Sequence, residues 1–206
     1  MTFAERTVQE TREHFAPWLD RYEAIGRAQH RYMYLLALLV TFYLVLAFSP
    51  GASPATGDPL EVAIIGLSVP RPLVWALGPP VIAFTLLAFL GTFAAAHVAL
   101  KGLEGCAPQG LAGDAFDRVP NLIDFAVHTR GGDGRPIRVL AASSYPLFAT
   151  AVLVCVGYLM VQLSIEPELG RSRWLSVVAT GMISVWCIGR LWDLWKRKMK
   201  RAWATK

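Results

Sequence analysis

Apolar residues fall into four long blocks, at about 32–48, 73–100, 139–165 and 174–192, separated by segments rich in charge, glycine and proline. Within a block such as Val81-Ile-Ala-Phe-Thr-Leu-Leu-Ala-Phe-Leu90, every helical face is apolar. A helix resting on a soluble core would confine its apolar residues to one stripe at helical spacing. Crossing the hydrocarbon core of a bilayer takes about 20 mainly apolar residues. Two blocks exceed that length and the other two reach it with their aromatic flanks. The pattern predicts an all-α membrane protein of four transmembrane helices in an antiparallel bundle. A chain of 206 residues is too short to wrap four such helices in a soluble core.

The segments between the blocks predict the rest. Residues 1–31 read as an amphipathic helical arm, with Thr7 and Glu10 spaced as a capping box. Pro17 suits the first turn of a second helix, and Ala16 before it is pushed from helical geometry. Beyond it, Trp18, Tyr22, Ile25 and Gln29 follow helical spacing. Two arrangements satisfy this pattern: a helix lying on the membrane surface, or a helix that prolongs the first span into the cytoplasm. Residues 49–59 hold three prolines and two glycines, so the chain leaves the membrane there. Small residues at 47–55 resemble a signal-peptide cleavage site, but the 31 residues ahead of the apolar block are too long and too mixed in charge for one. An uncleaved first helix is expected. Alternation of Leu60, Val62 and Ile64, then Leu67 and Val69, predicts a short external β-hairpin over 60–70.

The second block contains Gly78-Pro79-Pro80 near its outer end, which predicts a kink whose freed carbonyls need donors from elsewhere. Gly91, Ala94, Ala95 and Ala96 form a small-residue face suited to close packing. The loop 101–138 is glycine-rich at both ends and brackets a short amphipathic segment, 116–128, with a helix starting near Pro120. The brief connection at 164–172 makes the third and fourth spans antiparallel neighbours. Residues 193–206 form a basic tail.

Composition adds orientation. The chain is 54% hydrophobic and 17% charged, against about 25% charged in an average soluble domain. A net charge of +5 and a pI near 9.3 would suit nucleic acid, but the positions of the cations exclude that reading. Arg6, Arg12, Arg21, Arg27 and Arg31 precede the first span, and Lys101, Arg118, Arg130, Arg135 and Arg138 occupy the 101–138 loop. Arg190, Lys196, Arg197, Lys198, Lys200, Arg201 and Lys206 close the chain, whereas the opposite side has only Arg71, Arg171 and Arg173. By the positive-inside rule both termini and the 101–138 loop face the cytoplasm. Lys196, Arg197, Lys198, Lys200 and Arg201 follow the last span at once and are expected to meet lipid head groups, each contributing about 1 kcal/mol near an anionic leaflet.

Candidate chemistry is sparse. Ionisable groups inside a span mark ion paths and proton relays. Here the polar positions are His97 and Gln162, near the ends of their spans, and Arg190 at an exit. No span has a carboxylate in its interior, which argues against a proton- or sodium-coupled transporter. Asp124 and His128 stand at i, i+4 in the loop and are candidates for an acid–base pair or a ligand site, alongside His97. Gly131-Gly-Asp-Gly-Arg-Pro136 lacks the ending of a phosphate loop. Cys106, Cys155 and Cys187 form no C-x-x-C pair. No metal site, disulfide framework or cofactor is expected.

Leu60-Glu-Val-x-Ile-Ile-Gly-Leu-x-Val-Pro70, Gly78-Pro-Pro-Val-Ile82, His97 and Ser144-Tyr-Pro146 together span about half the chain. They resemble the membrane segment that precedes the repeats of bacterial pentapeptide-repeat membrane proteins, and of related multi-pass bacterial membrane proteins without repeats. This chain has no pentapeptide repeat. The resemblance implies a bacterial inner-membrane setting and carries no catalytic residues.

The expected function is a non-enzymatic membrane anchor or small subunit of a membrane complex, with the bilayer and a protein as partners. One alternative is an oligomeric pore former or membrane-disrupting effector, self-associating through small faces such as Gly181, Ser184 and Gly189. Another is a membrane enzyme or transporter using His97 or the 101–138 loop. Orientation has a direct test: a reporter active only in the cytoplasm, fused after Lys206, should be active, and a periplasm-dependent reporter at the same place should be silent.

Overall fold

The computed structural model describes residues 3–48, 59–62, 67–106, 135–166 and 169–204. Four helices carry almost all of it: α1 (Phe3–Phe48), α2 (Arg71–Cys106), α3 (Arg135–Ile165) and α4 (Gly170–Ala204). Between α1 and α2 two short strands, β1 (Leu60–Val62) and β2 (Leu67–Val69), pair antiparallel with Leu60 opposite Val69 and Val62 opposite Leu67. The segment 116–128, with its predicted short helix, lies outside the described residues.

Each helix contains a stretch long and apolar enough to cross a membrane, and each overruns the block that predicted it. α1 has 46 residues, so it is roughly 69 Å long at the helical rise, against a hydrocarbon core of about 30 Å. The break expected at Pro17 does not occur, because the helix runs through it. The proline withholds one donor from the preceding turn, and since Pro17 is exposed water can replace it. Nor does Thr7 cap a helix, since α1 begins at Phe3. Arm and first span are one element. The basic tail likewise continues α4 as helix as far as Ala204.

Consecutive helices are antiparallel. Tyr43 lies against Gly78, while at the other end Trp18 lies against Gly102. Across the bundle two pairs run parallel: Ser176 and Cys187 of α4 meet Ala76 and Ala83 of α2 in the same order, and Phe48 near the end of α1 stacks on Tyr158 near the end of α3. α2 packs against all three other helices. Half of its apolar window is buried, against 17% for α1 and α4.

The buried positions recur every seventh residue. On α2 they are Trp75, Ile82, Phe89 and Ala96, with Pro79, Leu86 and Phe93; on α1, Tyr22, Gln29, Leu36 and Tyr43; on α3, Tyr145, Val152 and Leu159. A seven-residue repeat is the pattern of left-handed, knobs-into-holes packing. At its centre Phe89 meets Phe93 edge-on, and both rings reach Tyr145 of α3. The outer faces are the reverse of a soluble protein's. Leu38, Val45, Val154, Leu175, Met182 and Val185 are each at least 63% exposed. An uncovered apolar area of this extent calls for an apolar surround.

Gly78 is a close approach of α1 to α2, since a Cβ there would overlap the Tyr43 ring. Gly78→Ala should therefore lower stability by about 1–3 kcal/mol, the usual cost of overpacking. Gly91→Ala, where a Cβ would meet nothing within 4 Å, should leave stability unchanged or raised. Thermal unfolding of both variants in detergent checks the pair.

Candidate functional site

Pro79 and Pro80 lie inside α2. Neither has an N–H, so the donors that would bond the carbonyls of Trp75 and Ala76 are missing. In apolar surroundings such a carbonyl must find another partner. Ser176 of α4 supplies one: its hydroxyl donates to the Ala76 carbonyl at 2.5 Å. From the opposite side the Tyr43 hydroxyl of α1 donates to the Val74 carbonyl at 2.8 Å, a carbonyl whose own helical donor, the Gly78 N–H, is not lost to proline. Ser176 thus answers the proline step, and Tyr43 ties α1 to the turn just before it. Gly78 leaves room for the Tyr43 ring, and Ser176 is small enough to bring the α4 backbone close. The sequence announced that the step needs outside donors but did not name them. Ser176 carried the one available signal, a hydroxyl residue in the first turns of the fourth span.

The face of α4 that follows Ser176 holds Thr180, Ser184 and Cys187. The Cys187 thiol donates weakly to the Ala83 carbonyl at 3.7 Å. Thr180 is fully buried, and neither its hydroxyl nor the buried one of Ser184 bonds a described residue. Gln29 of α1 is also buried, at 1% exposure, with both amide atoms unpartnered among the described residues. A polar side chain at a heptad core position costs stability and favours one register over its neighbours.

The remaining candidates gather differently. Trp18, Leu19, Tyr22 and Ile25 pack with Ala96 and Ala99 of α2 as a second apolar cluster. Between Tyr43–Gly78 and Trp18–Gly102 the two helices stay zipped over 25 residues of α1, roughly 37 Å, which exceeds the hydrocarbon core. His97 is half-buried at this end of α2 and engaged in an interaction within the fold. Asp124 and His128 lie outside the described residues, and no group of three metal-ligating side chains occurs among those described. Lys196 is exposed, its ammonium 5.0 Å from the Trp192 ring. Arg197, Lys198, Lys200 and Arg201 continue on α4, their side chains outside the description.

The small residues proposed for self-association divide. Gly181 faces inward, where a Cβ would touch Met160 of α3 at 3.9 Å, and Ser184 presents a buried hydroxyl. Gly189 is open. The Gln162 amide N–H donates to the Tyr158 hydroxyl oxygen at 3.1 Å, within α3.

Comparison with known proteins yields no relative: no protein-family model, no curated protein and no solved structure matches the chain.

If Ser176 replaces the donor lost at Pro80, the two positions must be coupled. Ser176→Ala should cost about 1–3 kcal/mol, the penalty of a buried carbonyl left without a donor. In a Pro80→Ala background, where the backbone N–H returns, that cost should fall by more than half. A double-mutant cycle on thermal or denaturant unfolding measures it, and additive effects would show that the bond is incidental.

Proposed function

We propose that the chain is a multi-pass membrane anchor or small subunit, embedded by its four apolar helices and presenting a rigid helical stalk to a protein partner. The termini and the 101–138 loop lie on the cytoplasmic side in this reading, with β1–β2 on the other. A bacterial inner membrane is the setting implied by the resemblance to pentapeptide-repeat membrane proteins.

The observation that carries the proposal is the continuation of α1 and α2 as a packed pair beyond the length a bilayer requires. A chain that needed only to cross the membrane would gain nothing from seating Trp18 on Gly102. Packing the arm on α2 orders the backbone of both ends. An ordered stalk binds a partner without the further entropy cost of folding on contact. Arg21, Glu23, Arg27 and Arg31 are exposed along it, and Arg21 lies over the Trp18 ring at 5.7 Å. The surface ion pair of Arg27 with Glu23, at 3.5 Å, adds little stability, so these charges are free to serve recognition.

The pore-forming reading draws on Gly189, but Gly181 and Ser184 are already committed inside the bundle. The reading as an enzyme or transporter rests on His97, half-buried beside the apolar cluster of Trp18, Tyr22 and Ala96, or on the 101–138 loop, most of which lies outside the described residues.

Purification of the full chain from native membranes, followed by intact-mass measurement, should give a hetero-assembly of fixed stoichiometry. Trp18→Ala should lower recovery of the partner about tenfold, equivalent to about 1.4 kcal/mol, while membrane insertion stays intact and His97→Ala has no effect. A homo-oligomer that dissipates membrane potential would instead support a pore.

A further inference from the structure

Side-chain hydroxyls in these helices have a default partner, the carbonyl three or four residues back. Thr85 donates to Val81, Thr92 to Phe89, Thr150 to Pro146 and Ser164 to Met160, at 2.6–2.7 Å. Thr180 and Ser184 do not take that option. Both hydroxyl oxygens are shielded from solvent and bond no described residue, and Thr180 as a whole has no exposure.

Their placement is fixed by their neighbours. Ser176 and Cys187 bond carbonyls of α2 on either side of the proline step. At about 100° per residue, Thr180 lies within about 40° of the Ser176 direction, between those two contacts. Ser184, one turn on, is rotated towards Gly181, the position that meets Met160 of α3. The two hydroxyls therefore flank the junction of α2, α3 and α4 at the level of Pro79 and Pro80.

We infer that Thr180 and Ser184 form a seat for an internal water molecule that bridges the two hydroxyls at this junction. Side chains at i, i+4 stand about 5–6 Å apart at Cβ, a gap that one water spans with two bonds of ordinary length. Buried waters gather where polar groups lack protein partners. A metal cation fits poorly, because two neutral hydroxyls cannot replace the charged or carbonyl-rich ligand set that a dehydrated cation needs. The water gives both hydroxyls a partner while leaving the carbonyls of α4 to its own ladder.

Thr180→Val preserves shape and removes one wall of the seat. With the water in place, its loss should lower the melting temperature of the full chain in detergent by about 2–4 °C. Ser184→Ala should do the same, and the double variant should fall no further than either single, because the water departs with the first substitution. In a dry junction each substitution removes an unsatisfied hydroxyl, and the melting temperature would stay level or rise; that result overturns the inference, as do additive losses. Should a variant fail to fold, a map of the unmodified protein that resolves ordered waters decides. Density within hydrogen-bond distance of both hydroxyls supports the seat, and its absence refutes it.

Discussion

A backbone carbonyl in an apolar surround must have a donor, and two consecutive prolines in α2 remove two of them at once. Ser176 brings α4 alongside α2 and supplies one of them, at Ala76. Tyr43 brings α1 to the opposite side at Val74, whose helical donor is intact, and Gly78 lets it come close. Held from both sides, α2 touches every other helix, whereas α1 and α4 turn most of their apolar surface outwards. The alternation of antiparallel helices already makes α4 parallel to α2; the bonds of Ser176 and Cys187 hold the two against each other.

What the sequence revealed, and what it hid, follows from the range of each signal. Block-like apolarity is a local property, so the four helices were legible. The helical spacing of Trp18, Tyr22, Ile25 and Gln29 was legible as a face, but two surfaces were compatible with it. The choice depended on Ala96, Ala99 and Gly102, more than sixty residues away in the chain. Pro17 misled because a proline at an exposed position costs one bond that water supplies, whereas Pro79 and Pro80 were rightly taken as a demand on neighbours. The identity of those neighbours is non-local and could not be read from spacing.

Helix packing in this chain also shows how a hydrophobic sequence still specifies one structure. With lipid-like side chains on all faces, apolarity cannot tell the inner face from the outer one. Selection falls to shape and to polar groups. Small residues mark close approaches, as with Gly78 beneath Tyr43 and Gly102 beneath Trp18. The aromatic contacts of Phe89, Phe93 and Tyr145 fill the wide part of the interior. Gln29 occupies a core heptad position among apolar ones. Sliding α1 by one heptad would carry its amide into a different layer and withdraw Tyr43 from Val74.

The same economy bears on function. Towards the middle of the described spans the polar side chains are hydroxyls, amides and thiols, with His97 and Arg190 nearer the ends. The bonds of Tyr43, Ser176 and Cys187 join one helix to another, whereas those of Thr85 and Thr150 stay within their own helix. Charge begins where the apolar stretches end, and there α1 and α2 remain packed as Trp18 closes over Gly102. The proposed scaffold role rests on that combination: four helices apolar enough to cross a membrane, and a packed extension of α1 on α2 beyond the length such a crossing needs.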